Sequence, residues 1–153
     1  MADAVVIIGV GNQDRGDDGV GPEVLVRLVG RLPGGVRLAC LAGADPAEIM
    51  EAWSGSAGAI VVDAMVSGAA PGTVTRFDAA AGPLPAGVRL ASTHVLGAET
   101  AVEMARALGR LPGRLVVYGV EGASFTTGSG LSPAVAAALP AAAERILEEV
   151  QGA

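Results

Sequence analysis

Residues 9–22, Gly-Val-Gly-Asn-Gln-Asp-Arg-Gly-Asp-Asp-Gly-Val-Gly-Pro, constrain the fold more than any other stretch of this chain. An apolar, β-branched run precedes them and helical spacing follows, so they form a strand-to-helix connection tightened by glycine. In an open parallel sheet such a connection lies beyond the carboxyl end of the first strand, where these folds place their ligands. Its tip carries Asp14, Asp17 and Asp18. A phosphate would meet negative charge there, whereas a divalent cation would meet ligands.

The rest of the chain fits a sheet of this kind. Residues 5–9 are nearly all apolar, as in a strand buried on both faces of a parallel sheet. Pro22 suits a first helical turn, and Val24, Leu25, Leu28 and Leu32 keep helical spacing until Pro33-Gly34-Gly35 stops it. Further strands are expected at about 36–41, at 59–62 ending on Asp63, more weakly at 73–77, and at 114–120. Asp45, Pro46 and Glu48 make an N-cap, N1 and N3 set for a short helix to about Trp53. Val95, Ala98, Val102, Ala105 and Leu108 define another helical face, with His94 at or just before its first turn. Residues 121–130 read as a loop. Ser132-Pro133 opens a terminal helix that buries Val135, Leu139, Ala142, Ile146 and Val150 and is kinked or broken at Pro140. Strands alternating with helices predict an α/β three-layer sandwich in one domain over residues 1–153. Its twisted, mostly parallel sheet has about five strands, with helices on both faces.

Composition narrows the partners. A formal charge of -6 opposes binding to nucleic acid or to an anionic lipid surface. With 51% hydrophobic and 17% charged residues the chain is not disordered, and its first apolar run is too short to span a membrane and lacks a basic leader. A cytoplasmic protein is expected. The single Cys40 cannot form an intrachain disulfide and lies in an apolar run, which predicts a buried free thiol in a reducing compartment. All ten basic residues are arginines, so neither Schiff-base chemistry nor a P-loop lysine is available.

Three rival motifs fail. Gly9-x-Gly11 begins a dinucleotide fingerprint, but the third glycine position is Asp14; Gly11-x-x-x-x-Gly16 has P-loop spacing, but Asp17 stands where lysine is required. Gly122-Ala123-Ser124-Phe125-Thr126 approaches a nucleophile elbow without its final glycine. Asp18, Asp63 and His94 remain, each at a predicted strand end or strand-to-helix junction on one edge of the sheet. Two carboxylates and an imidazole suit a borderline divalent ion and leave positions open for another molecule. Each residue also has a plainer reading: Asp17 or Asp18 as a helix cap, Asp63 as an acceptor for loop amides, His94 as a buried or capping side chain.

The combination resembles a family. Gly9-Val10-Gly11-Asn12 with Gly16-Asp17-Asp18-Gly19-Val20-Gly21-Pro22 is similar to the N-terminal motif of the hydrogenase maturation endopeptidases. The likeness continues in order through Val61-Val62-Asp63-Ala64, Pro71-Gly72-Thr73, Ser92-Thr93-His94, Val117-Tyr118-Gly119-Val120 and Gly130-Leu131-Ser132-Pro133. The resemblance implies removal of the C-terminal extension from a nickel-iron hydrogenase large-subunit precursor. It also implies that Asp18, Asp63 and His94 meet nickel already carried by that precursor, without a dedicated Ser or Cys nucleophile. Two other roles stay open at this point: a noncatalytic partner that checks the metal in the immature subunit, and an independent metal-dependent hydrolase of a small substrate. One departure concerns selectivity, because Leu41-Ala42-Gly43-Ala44 stands where family members commonly have Asp-Gly-Gly.

Overall fold

In the computed structural model, which describes residues 5–43, 45–91 and 97–152, strands and helices alternate through most of the chain. β1 (Val5–Val10) leads through a 3-10 turn (Gly16–Gly19) into α1 (Val20–Leu28), followed by β2 (Val36–Leu41), α2 (Pro46–Trp53) and β3 (Gly58–Val66). β4 (Val74–Asp78), the two-residue β5 (Arg89–Leu90), α3 (Ala98–Leu108), β6 (Arg114–Glu121) and α4 (Pro133–Gln151) complete the order. The sheet order is β2-β1-β3-β6-β4, with β5 paired to β3; β4 and β5 are antiparallel to their neighbours and the other pairings are parallel. The three-layer α/β sandwich expected from the sequence is present, with β5 as an added sixth strand.

Alternation in the strands divides the core in two. Ile7, Ile60, Val62, Val116 and Tyr118 face α1 and α4, whereas Val6, Ile8, Val61, Leu115 and Val117 face α2 and α3. Completely burying one such Val or Ile side chain contributes about 1.5–3 kcal/mol. α2 begins as its sequence requires: Asp45 accepts a hydrogen bond from the Ala47 N–H at 2.8 Å and Pro46 is the first helical residue. Among the described residues no helix is long and apolar enough to cross a membrane.

Five local expectations need correction. α1 ends at Leu28 rather than running to Leu32, since Gly30 turns the chain with φ +79°; Leu32 still packs on the core. β3 does not end at Asp63 but continues to Val66, and β6 includes Glu121. Cys40 is exposed, because β2 is an edge strand and α1 starts over β1 and β3 rather than over the end of β2. α4 continues through Pro140, which is itself exposed; the Ala136 carbonyl that loses its usual donor there is on an exposed residue, where water can satisfy it.

The end of α4 is fastened to the sheet by Glu149. Its carboxylate accepts from Arg76 Nε at 2.7 Å and Nη2 at 3.1 Å, from Tyr118 OH at 2.6 Å, and from Arg114. The Arg76 hydrogen bonds lead in holding the Glu149 carboxyl down to about 2, and burial pushes the Tyr118 hydroxyl up to about 12. Because the folded pKa lies below the ordinary 4.5, this contribution is complete above pH 4.5 and is lost as pH falls toward 2. Glu149→Gln is therefore expected to cost about 1–2 kcal/mol at neutral pH, a figure kept small because the arginines are partly exposed. The gap between parent and variant should close as urea melts are repeated down to pH 2.

Candidate active site at the carboxyl edge of the sheet

β1 pairs with β2 on one side and β3 on the other, so the chain reverses its direction of travel across the sheet at β1. Beyond the carboxyl ends of β1 and β3 lies the crevice that such a reversal leaves open. β1 pairs with β3 only as far as Gly9 opposite Val62, and β5 takes up the same side of β3 at Met65. Asp63 and Ala64 lie in the notch between them. Asp63 is completely buried and has the strand parity of Val61 and Met65, on the α2 and α3 side.

The glycine-rich connection is folded by its own backbone. Gly11, at φ +137°, donates its N–H to the Leu41 carbonyl at 3.1 Å, and a side chain there would collide with the Asp18 carbonyl. The Asn12 side chain accepts from Asp14 N–H at 2.8 Å, Arg15 N–H bonds back to the Asn12 carbonyl at 3.0 Å, and Asp18 N–H to the Arg15 carbonyl at 3.1 Å. These turns wind residues 16–19 into the 3-10 turn, which packs against β3. Neither Asp17 nor Asp18 caps α1, whose N-cap is Gly19 without a side-chain hydrogen bond.

The two adjacent aspartates do different work. Asp17 is completely buried; Oδ2 accepts from Ala123 N–H (2.7 Å), Ser124 N–H (3.0 Å) and Ser132 Oγ (2.9 Å), and Oδ1 from Ser132 N–H (2.7 Å). Burial raises its pKa, but the hydrogen bonds from Ser132, Ser124 and Ala123 outweigh that and hold it below the usual value. Four donors, three on Oδ2 and one on Oδ1, converge on this carboxylate, so Asp17 is a structural lock between the first loop and residues 122–132. Asp18, 3% exposed, keeps capacity in reserve: Oδ2 accepts from Asn12 N–H at 3.0 Å and lies 3.7 Å from Arg15 Nη1. Oδ1 is buried with no hydrogen-bond partner among the described residues.

Glu121 escaped the sequence reading. It is 3% exposed at the end of β6, opposite Met65, and accepts from Ser67 N–H at 3.0 Å and Ser67 Oγ at 2.6 Å. An acidic residue closing an apolar strand is the same signal that drew attention to Asp63. Among the described residues the buried charged side chains, Asp17, Asp18, Asp63 and Glu121, thus all belong to this edge of the sheet. His94 lies outside the described residues, as does the rest of the Ser92-Thr93-His94 segment. Among the described residues no group of three His, Cys, Asp or Glu side chains could hold a metal. A groove lined by Met50, Trp53, Met104 and Leu111 opens between α2 and α3 at the opposite end of the strands and contains none of the site acids.

A family model described as HycI, hydrogenase maturation protease, matches residues 40–149. The chain belongs to the hydrogenase maturation protease family. As a member it is a peptidase of hydrogenase maturation, a family that acts on large-subunit precursors. The matched span begins after the Gly9–Pro22 motif, but structural likeness includes that part. The hydrogenase maturating endopeptidase HybD from E. coli is 27% identical with a TM-score of 0.79, the match covering 97% of this chain and 93% of HybD. A hydrogenase 2 maturation peptidase from a Thaumarchaeota archaeon is 25% identical with a TM-score of 0.68, covering 96% and 97%. The [NiFe] hydrogenase maturation protease HybD from Thermococcus kodakarensis, at 23% identity and a TM-score of 0.76 over 96% and 99%, shares the fold. No curated protein matches the chain by sequence.

Proposed function

We propose that this maturation protease removes the C-terminal extension of a nickel-iron hydrogenase large-subunit precursor after nickel insertion. In this reading Asp18, Asp63 and His94 face the nickel that the precursor carries. The observation that carries it is the pairing of two buried carboxylates at the sheet's point of reversal, one of them with an oxygen that accepts nothing from the described residues. Such an oxygen is costly to bury unless a cation or donor arrives to use it. Nickel would polarise the scissile carbonyl or activate water. The protein's own share is to present buried carboxylates at this edge of the sheet, while Asp17 holds the first loop in place. An exposed, unpaired Cys40 fits a reducing compartment, which supports a cytoplasmic setting. Neither the metal-checking partner nor the small-substrate hydrolase gains support from membership of a protease family.

The test is incubation of the purified protein with nickel-loaded and nickel-free precursor, reading precursor mass before and after. Only the loaded form should lose its extension. Efficient cutting of the metal-free form would overturn the reading and direct attention to Ser124, whose Oγ lies 3.1 Å from Thr126 Oγ1.

Precursor selection, we infer, involves the end of β2. Leu41 is bonded through its carbonyl to Gly11, and Ala42 next to it is exposed, so the rim beside the site is apolar. A new carboxylate there would be desolvated without a partner when the precursor docks. Ala42→Asp is expected to slow processing about tenfold while shifting the melting temperature by less than about 2 °C. Parental rates for that variant would move selection to residues 121–130.

A further inference from the structure

Arg15 stands beside the site without being bonded into it. Its Nη1 is 3.7 Å from Asp18 Oδ2, beyond hydrogen-bonding distance, and no side-chain hydrogen bond joins it to a described residue. Its side chain is 27% exposed, against 4% for that of Asp18, so the guanidinium has a route to water that the carboxylate lacks. Only its backbone is fixed, by the bond to the Asn12 carbonyl. The chain has no lysine, and Asp17, Asp63 and Glu121 share this edge, so Arg15 supplies positive charge where negative charge is concentrated.

We propose that Arg15 is a tethered counter-cation that sets how readily the site accepts a metal ion. This rests on the reading of Asp18 as metal-facing. With no precursor present, the guanidinium neutralises Asp18 by charge alone, and a divalent ion approaching that carboxylate meets repulsion from a neighbour a few ångströms away. Free metal ions are thereby disfavoured. A precursor delivers its nickel already held by other ligands, and docking provides the contacts that drive the guanidinium outward along its exposed side. Arg15 thus acts as a selectivity-determining residue, separating nickel in a precursor from loose metal. It need not touch the reacting bond.

Nickel(II) chloride titrated into the free protein, followed by calorimetry, tests this with no turnover involved. Arg15→Gln should bind nickel about tenfold more tightly than the parent, and the gain should shrink at 1 M salt. Arg15→Lys, which restores the charge, should return to the parental affinity. Asp18→Asn is measured alongside and should bind more weakly than the parent. Equal affinity of Arg15→Gln and parent, with Asp18→Asn weakened, overturns the role of Arg15 and leaves Asp18 in place. Unchanged binding in Asp18→Asn, or no binding by any of the proteins, overturns both. A melting temperature within about 2 °C of the parent for Arg15→Gln shows that the affinity change does not come from a rearranged fold.

Discussion

Asp18→Asn and Asp63→Asn each lower precursor processing by at least about a hundredfold, and Asp18→Asn leaves the fold as stable as before, or more so. The substitution keeps the shape of the side chain and removes the charge, so the loss falls on whatever the charge was doing. Stabilising a developing charge or binding a metal typically accounts for two or more orders of magnitude in rate. Stability moves the other way because a buried carboxylate oxygen without a donor is a liability, and Asp18 Oδ1 is one. Sites that carry out chemistry are commonly less stable than they could be, for this reason. The check is the nickel-loaded precursor assay beside thermal melts. Parental processing by both variants would remove the two carboxylates from the reaction.

Asp17→Ala has the opposite profile. Losing the carboxylate leaves the N–H groups of Ala123, Ser124 and Ser132 without their acceptor inside the protein, along with the Ser132 hydroxyl. A fully buried donor left unsatisfied costs about 1–3 kcal/mol; here Ala123 is exposed and Ser124 and Ser132 are half-buried, so water can take up part of the loss and the total should reach about 2–3 kcal/mol. Asp17→Asn should cost less but not little, since its amide group would point at least one donor at another. The parent's advantage is full above pH 3.8 and fades below it, because the hydrogen bonds hold the folded-state pKa lower than that. Urea denaturation of the three proteins at neutral pH decides the matter. Two neighbouring aspartates, one whose loss costs turnover and one whose loss costs stability, are a sharp prediction for a sequence that reads simply Asp-Asp.

That contrast also marks what a sequence conveys. Apolar β-branched runs such as 5–9 and 59–62 announce buried strands because few other settings tolerate them, and the Asp45-Pro46 start of α2 is local chemistry that needs no partner. Asp17 could not be assigned, since its acceptor sites are filled by residues 106 to 115 positions further along the chain. β3 runs on through Asp63 because β6 pairs with it up to Glu121 and β5 joins its other side, and neither fact is written near residue 63. Cys40 looked buried because its neighbours are apolar; exposure depended on which strand became an edge. The candidate site was legible at Asp18 and Asp63 because both interrupt apolar runs at a strand end or connection. Glu121 gave the same signal and was absorbed into the loop that follows it.

Gly21 gives the site an unusual kind of robustness. A methyl group there would stand 2.5 Å from the Val62 carbonyl oxygen and 2.6 Å from that of Val10, so the first turn of α1 rests on the main chain of β1 and β3. No side chain serves as a spacer at that contact. The distance between the loop bearing Asp18 and the strand bearing Asp63 is therefore set by atoms that every residue has in common. Drift among the Val, Ile and Leu residues of the interior can change how tightly the layers pack without retuning the gap between the two acids, so a lineage can diversify its core freely while inheriting the same calibrated opening.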